Sequence, residues 1–222
     1  MKRLIDLIIA SSSLLLLGPI IGIIAVVIRM NMGSPVLFRQ VRPGYMQKPF
    51  TLLKFRTMRI AIDPAGKDLP DNVRLTTLGR FLRKTSLDEL PQLWNVFKGD
   101  ISLVGPRPLL ERYNPYFNER ERLRFSVKPG ITGWAQIHGR NEASWDKRLE
   151  NDVWYVEHWS LGLDLKILVL TIKKVLSGKG VVVDAQSVML DLDEERKESG
   201  HKTISEKFVI HEECDGNKIG SC

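Results

Sequence analysis

Apolar residues fill almost every position from Leu4 to Ile28, interrupted by Asp6 and by Ser11–Ser13. A run of this length can span a bilayer as a helix. It is too long for a signal peptide, and no A-x-A-like cleavage site follows, so the segment is read as retained. Gly18–Pro19 lies near its middle. Pro19 removes a backbone donor and presses on the carbonyl of Leu15, so a kink is expected there. Lys2 and Arg3 precede the run, and Arg29, Arg39 and Arg42 follow it. Positive residues favour the cytoplasmic side, and a basic flank at both ends suits a helix that enters, bends and returns. Taken alone, the segment favours a bitopic helix with a tolerated proline.

Beyond it the pattern shortens. Two apolar runs, Pro35–Phe38 and Phe50–Phe55, are separated by the turn signal Arg42-Pro43-Gly44, which predicts a hairpin or two short strands. Residues Ile60 to Val73 lack a period and read as a loop. Leu75, Leu78, Phe81 and Leu82 recur at helical spacing, interleaved with Arg74, Arg80, Arg83 and Lys84. Such a basic amphipathic helix suits an anionic membrane surface as well as an ordinary core. Ser86, with Glu89 three residues on, reads as a capping box opening a new helix. Asp100 to Pro108 reads as a strand and then a proline-rich loop. Leu109 to Arg124 is expected to be helical, and Lys128 to Gln136 a glycine-punctuated loop. Trp145 to Trp159 and Leu161 to Leu176 are expected to be helices. The charges in the second of these argue for amphipathic docking, not a span. From about Asp191 the periodicity is lost, and a mobile tail is expected.

The 222 residues carry a formal net charge of +7, with 43% hydrophobic and 27% charged positions. That composition fits one folded domain with appendages. The charge calls for anionic partners without choosing among nucleic acid, lipid head groups and phosphorylated substrates. The only cysteines, Cys214 and Cys222, make neither a disulfide framework nor a zinc site.

The chemistry concentrates on acids and loop cations. Asp88 and Glu89 open the predicted helix, where the dipole would keep them ionised for service as nucleophile or magnesium ligand. Helical neighbours point about 100° apart, which suits two roles. Acids at a helix start often do no more than cap. Lys54 and Arg56 sit in KFRTM, Arg107 between two prolines in GPRP, and Arg140 after a glycine in HGR. Arginine binds phosphate through two parallel hydrogen bonds. Neither common nucleotide loop, G-x-x-x-x-G-K-[ST] or G-x-G-x-x-G, is present. His138, His158, His201 and His211 lack metal-ligand spacing.

Four stretches in register resemble the bacterial sugar transferases, the monotopic phosphoglycosyl transferases. They are KFRTM (54–58), RKTSLDELPQLWNVFKGDISLVGPRPLL (83–110), KPGITGWAQIHGRN (128–141) and NDVWYVEHWSLGLDLKIL (151–168). The resemblance runs from near Leu4 to about Lys179. It implies an α/β-like fold: a re-entrant membrane helix over residues 1–33, then a catalytic domain over 34–190 with amphipathic interfacial helices, and a small, mostly helical head with short strands. Residues 191–222 are the tail. It implies transfer of a sugar phosphate from a UDP-sugar to polyprenyl phosphate with release of UMP, on the cytoplasmic face of a bacterial inner membrane. By the resemblance, Asp88 is the covalently modified acid and a Mg2+ ligand, and Glu89 is its partner. Lys54, Arg56, Arg107 and Arg140 hold diphosphate or lipid phosphate, and nucleic acid is not a partner. The re-entrant helix of the family commonly breaks at Ser-Pro, where this chain has Gly18-Pro19. The competing reading is a membrane-tethered basic module that binds nucleic acid or protein. It leaves the acidic pair and GPRP unexplained. Nothing in these motifs selects the sugar.

Overall fold

The computed structural model describes residues 1–63, 65–66, 69–138, 144–177 and 191–198. It is mostly helical, with two small sheets. Helix α1, Lys2–Met32, runs unbroken through Pro19. Its 31 residues measure about 46 Å, and by length and composition it is long and apolar enough to cross a membrane.

One stripe of α1 packs on the head along its whole length. Ile9, Ala10, Leu14 and Leu17 meet a core of Leu93, Val96, Ile101, Leu103, Val104, Tyr155 and Ile167. Ile21, Ile24, Ala25, Ile28 and Met32 meet Phe55 and Leu82. These positions recur every three or four residues, the spacing of one helical face. Leu4, Ile8, Leu15, Ile23, Val26 and Met30 are exposed.

Polar bonds hold both ends of α1. Lys2 Nζ reaches Val104 O at 3.0 Å and the Asp164 carboxylate. Arg3 donates to the carbonyls of Val96 and Phe97. The buried Asp6 accepts from Ser102 Oγ at 2.9 Å and Leu103 N at 3.1 Å. At the far end, Arg56 donates to the carbonyls of Met32, Gly33 and Ser34.

Strands β1 (Leu37–Pro43) and β2 (Pro49–Phe55) form the expected antiparallel hairpin, with Leu37 opposite Phe55 and Arg42 opposite Phe50. The segment read as a loop contains a short helix, α2 (Asp71–Arg74). Helix α3 (Thr77–Thr85) is capped by Thr76, whose Oγ1 accepts from Gly79 N at 2.9 Å. Gly79 lies against the Thr57 backbone, where a Cβ would come within 1.8 Å of its carbonyl oxygen. Helix α4 (Gln92–Lys98) follows a single 3₁₀ turn, Leu87–Glu89. Strands β3 (Ser102–Val104) and β4 (Gly130–Thr132) pair in parallel.

Leu109 to Arg124 departs from the expected helix and forms two 3₁₀ stretches, Glu111–Tyr116 and Glu121–Ser126. Pro115 removes a donor within the first. A reciprocal pair, Asn118 N to Glu121 Oε2 and Glu121 N to Asn118 Oδ1, both 2.8 Å, opens the second. Helices α5 (Trp134–Ile137), α6 (Trp145–Glu157) and α7 (Leu161–Ser177) complete the head.

The tail expected from Asp191 departs from that reading at its start. Leu192–Glu198 form a helix, α8, that docks on the head. Leu192 is fully buried among Tyr113, Phe117, Phe125, Trp145 and Leu149. Arg196 pairs with Glu121 at 2.8 Å and with Asp146 at 2.5 Å. Residues 199–222 lie outside the described residues. Leu192→Ala is expected to destabilise the protein by about 2–4 kcal/mol through the cavity left in this cluster. Chemical denaturation of the purified chain reads it, and an unchanged midpoint would mean that α8 contributes nothing to the fold.

Candidate active site

The acidic pair sits where three segments meet. Lys54 comes from β2, Asp88 and Glu89 from the turn between α3 and α4, and Arg107 from the loop after β3. Asn95 on α4 clips the turn to the strand: its Nδ2 donates to Thr51 O at 2.8 Å, and its Oδ1 accepts from Leu53 N at 3.1 Å. Glu89 Oε1 accepts from Lys54 Nζ at 2.7 Å and from Arg107 at 2.9 Å.

The capping box expected at Ser86 does not form. Ser86 ends α3 in the left-handed region, with φ 58°, and makes no side-chain cap bond. Glu89 is instead drawn across to two cations, a stronger partnership than one backbone amide.

Two backbones approach closely to place Arg107. A Cβ on Gly105 would stand 2.4 Å from Lys128 O, and one on Gly130 would stand 2.1 Å from Gly105 N. Only glycine permits that approach, and it explains the glycines of GPRP and KPGITG together. Arg124, buried, donates to Arg107 O at 2.6 Å and to Asp152 Oδ2 at 2.8 Å. Arg124, Asp152 and Asn95 are not legible in the sequence as site residues, since single polar residues that become buried carry no periodic signal.

The two acids differ electrically. Asp88 is 8% exposed, and burial, then the neighbouring Glu89 charge, pushes its carboxyl up to about 6, against the pull of Lys54, Arg107 and Arg83. Burial also acts upward on Glu89, but Arg107 and Lys54 outweigh it and hold Glu89 at about 2. The expectation that a helix dipole keeps Asp88 ionised is therefore corrected: a three-residue 3₁₀ turn supplies little dipole, and burial dominates. Burial lowers the proton affinity of Lys54, with Glu89 opposing. Environments that drive two carboxyls apart assign them different chemical roles. No group among the described residues hydrogen-bonds the Asp88 carboxylate.

The other expected site residues fall elsewhere. The terminal nitrogens of Arg56 are spent on the α1 exit carbonyls, so it braces α1 and does not join the Glu89 cluster. Arg140 lies outside the described residues. Gly18 and Pro19 lie mid-helix in α1, with nothing within 4 Å of a Cβ on Gly18.

No group of three or more metal-ligating side chains stands together among the described residues. Magnesium does not need one, because it keeps several waters and takes one or two carboxylates plus substrate phosphate oxygens. The unengaged Asp88 carboxylate fits that demand.

Residues 1–178 match the family of bacterial sugar transferases. The chain belongs to that family. This sugar transferase is 59% identical over 181 residues to the uncharacterised sugar transferase EpsL of Bacillus subtilis, covering 82% of this chain and 90% of that one. It is 42% identical over 187 residues to the UDP-glucose:undecaprenyl-phosphate glucose-1-phosphate transferase of Escherichia coli, covering 78% of this chain and 40% of that one. The galactosyl transferase CpsE of Streptococcus agalactiae is 42% identical over 194 residues, covering 81% and 43%. The sugar transferase thus spans about two-fifths of the length of the latter two relatives. The matched region holds the acidic pair, Lys54 and Arg107, and ends before α8.

Proposed function

We propose that this sugar transferase moves a sugar 1-phosphate from a UDP-sugar to polyprenyl phosphate at a membrane surface, with Asp88 as a covalent nucleophile. The observation that carries this is the asymmetry of the pair: a buried Asp88 with no hydrogen-bond partner among the described residues, beside a Glu89 neutralised by Lys54 and Arg107. The relatives' names support the donor and acceptor classes.

An Asp88 oxygen attacks the sugar-bearing phosphorus. The bond from that phosphorus to the bridging oxygen breaks, and UMP leaves with the electron pair. An acyl phosphate links the sugar to Asp88. A phosphate oxygen of the lipid then attacks the same phosphorus and expels the Asp88 carboxylate, leaving a polyprenyl diphosphate sugar. Magnesium held by Asp88, water and diphosphate oxygens would supply charge neutralisation. Glu89 keeps Lys54 and Arg107 aimed at the phosphoryl group. Preorganised cations of this kind stabilise developing charge at little cost in reorganisation.

The exposed apolar face of α1 supports membrane residence, and the anchoring of both its ends to one head supports a re-entrant, one-sided arrangement. With the basic flanks of α1, this points to the cytoplasmic face of the inner membrane.

The test uses labelled UDP-sugar and magnesium with no lipid acceptor, and UDP-glucose and UDP-galactose head the donor panel. Stoichiometric UMP release and label on the Asp88 peptide are expected. No adduct, with intersecting initial-rate plots, would mean a ternary complex in which Asp88 only activates the acceptor.

The pH profile is a second expectation. Asp88 must be ionised to attack, so kcat/KM should fall about tenfold per pH unit below about 6, where Asp88 titrates. Glu89, held at about 2, stays ionised throughout. Bound magnesium moves the break to lower pH, so the profile is taken at two magnesium concentrations. A rate flat from pH 7 to 4.5 at both would remove Asp88 as the titrating group.

A further inference from the structure

Arg107 begins an excursion of the chain that closes on itself. Arg124, 17 residues on, donates to the Arg107 carbonyl at 2.6 Å. Between the two lie the 3₁₀ stretches Glu111–Tyr116 and Glu121–Ser126, six residues each. Runs of that length are uncommon, because 3₁₀ hydrogen bonds are poorly aligned. The excursion therefore depends on tertiary partners for its shape.

Helix α8 and the residue before it supply partners to both halves. On the outgoing half, Asp191 accepts from Tyr113 Oη at 2.7 Å and pairs with Arg112. Leu192 is buried beside Tyr113 and Phe117 in the cluster against which Leu109 and Leu110 also pack, two and three residues after Arg107. On the returning half, Arg196 pairs with Glu121 at 2.8 Å, and both side chains are buried. Glu121 opens the stretch that carries Arg124, and Arg124 is fixed in turn by Asp152 at 2.8 Å. The amino side of Arg107 has separate support: Gly105 N donates to Thr132 O at 2.9 Å, and Gly130 N to Pro106 O at 3.0 Å. The carboxyl side rests on Arg124 and on the packing of Leu109 and Leu110, and both of these lead to α8.

We propose that α8 is a clasp that sets the position of Arg107, with Arg196 and Asp191 as positioning residues for the transfer reaction. The inference rests on the reaction proposed above. Helix α8 lies beyond residues 1–178, which match the family, so what the family shares assigns it no role. Arg107 meets Glu89 at 2.9 Å. Slack on its carboxyl side lets the guanidinium drift from the acids and from the phosphoryl group, and a misplacement of about 1 Å costs about a hundredfold in rate. The rival is a brace that serves the fold alone. Against it stands the convergence of the contacts: those on the outgoing half and those on the returning half both bear on the residues that flank or hold the Arg107 carbonyl.

The experiment uses the full chain in lipid nanodiscs with magnesium, undecaprenyl phosphate and UDP-glucose or UDP-galactose, whichever supports turnover. Arg196→Gln and Asp191→Asn are compared with Arg120→Gln, which loses an exposed pair with Glu157. Rates are read well below each melting midpoint, so that unfolded protein does not contribute. Arg196→Gln should lower kcat for UMP release about tenfold or more, with KM for the UDP-sugar within about twofold. Asp191→Asn should act in the same direction but less strongly, and Arg120→Gln should change neither. Arg196→Lys, which keeps the charge but not the fork, should recover part of the loss. Amide hydrogen exchange over residues 109–126 should quicken in Arg196→Gln while that of β1 and β2 holds. The pH break assigned to Asp88 should rise, because Arg107, with Lys54 and Arg83, opposes its protonation and Glu89 favours it. Should Arg196→Gln fail to fold, Asp191→Asn carries the test, its side chain being 46% exposed. A lower melting temperature with kcat, exchange and the pH break unchanged would make α8 a brace of the fold and overturn the proposal. A higher kcat would overturn it too, since α8 would then restrain the site. A wild-type protein that releases no UMP from any donor overturns the reaction itself, and the exchange comparison then still decides whether α8 holds the Arg107 excursion.

Discussion

Asp88→Asn is expected to lower UMP release by at least about a thousandfold and, at pH 7.5, to make the protein more stable. The first effect follows from nucleophilicity, since a neutral amide cannot form the acyl phosphate. The second follows from burial. Folding raises the Asp88 carboxyl from 3.8 to about 6, so its ionised form is disfavoured in the native state. The sign is fixed by linkage: the native state is favoured while Asp88 is protonated, below its ordinary value, and loses that advantage as pH rises through about 6. The difference is worth up to about 3 kcal/mol. Asn keeps the shape and removes the charge, so the variant should gain several degrees at pH 7.5 and little at pH 4. Glu89→Gln should do the reverse. Its carboxylate is held at about 2, so it contributes stability above its ordinary value that is lost as pH falls through about 2, and its loss leaves Lys54 and Arg107 without their shared anion. Thermal melts of both variants at the two pH values check this. An Asp88→Asn protein that is inactive yet less stable at pH 7.5 would show that the carboxylate serves the fold.

The contrast between these neighbours also marks what the sequence could carry. Hydrophobic period revealed α1, the hairpin, α6 and α7, because each is a repeated pattern of several residues. The order of four motifs revealed the family. Local rules failed where tertiary partners outbid them. Ser86 and Glu89 fit a capping box, yet Lys54 from β2 and Arg107 from the loop after β3 took the carboxylate. Arg56, two residues after Lys54, reads as one more loop cation on the same strand face, but β2 ends at Phe55, and beyond the strand Arg56 meets α1 while Lys54 meets Glu89. Leu192 is one apolar residue in a charged stretch and gives no period, but one well-filled pocket is enough to dock a short helix.

Arg56 yields the other large expected effect, which separates two roles for it. If it holds a phosphate, Arg56→Ala should raise a substrate KM and leave the fold intact. The structure instead spends its guanidinium on the carbonyls of Met32, Gly33 and Ser34, the last turn and exit of α1. Removing it strands acceptors that α1 itself cannot satisfy, at a cost of about 3 kcal/mol or more. The melting temperature should therefore drop by about 6–12 °C, with KM of the surviving enzyme nearly unchanged. The same bonds constrain topology. Lys2, Arg3 and Asp6 tie the start of α1 to the head, and Arg56 ties its end. A helix so held cannot leave its two ends on opposite faces of a bilayer unless one set of bonds breaks, and each set includes a buried charged side chain, Asp6 at one end and Arg56 at the other. In a chain with Cys214 and Cys222 replaced by serine, a cysteine inserted after Met1 and, separately, Ser34→Cys should both resist a membrane-impermeant thiol reagent in intact cells and both react once the membranes are opened. Labelling near Met1 in intact cells would mean that α1 spans the membrane and that its N-terminal anchors to the head do not form there. Arg56→Ala should loosen the Ser34 end first, seen as faster reaction of Ser34→Cys in opened membranes at unchanged reactivity near Met1.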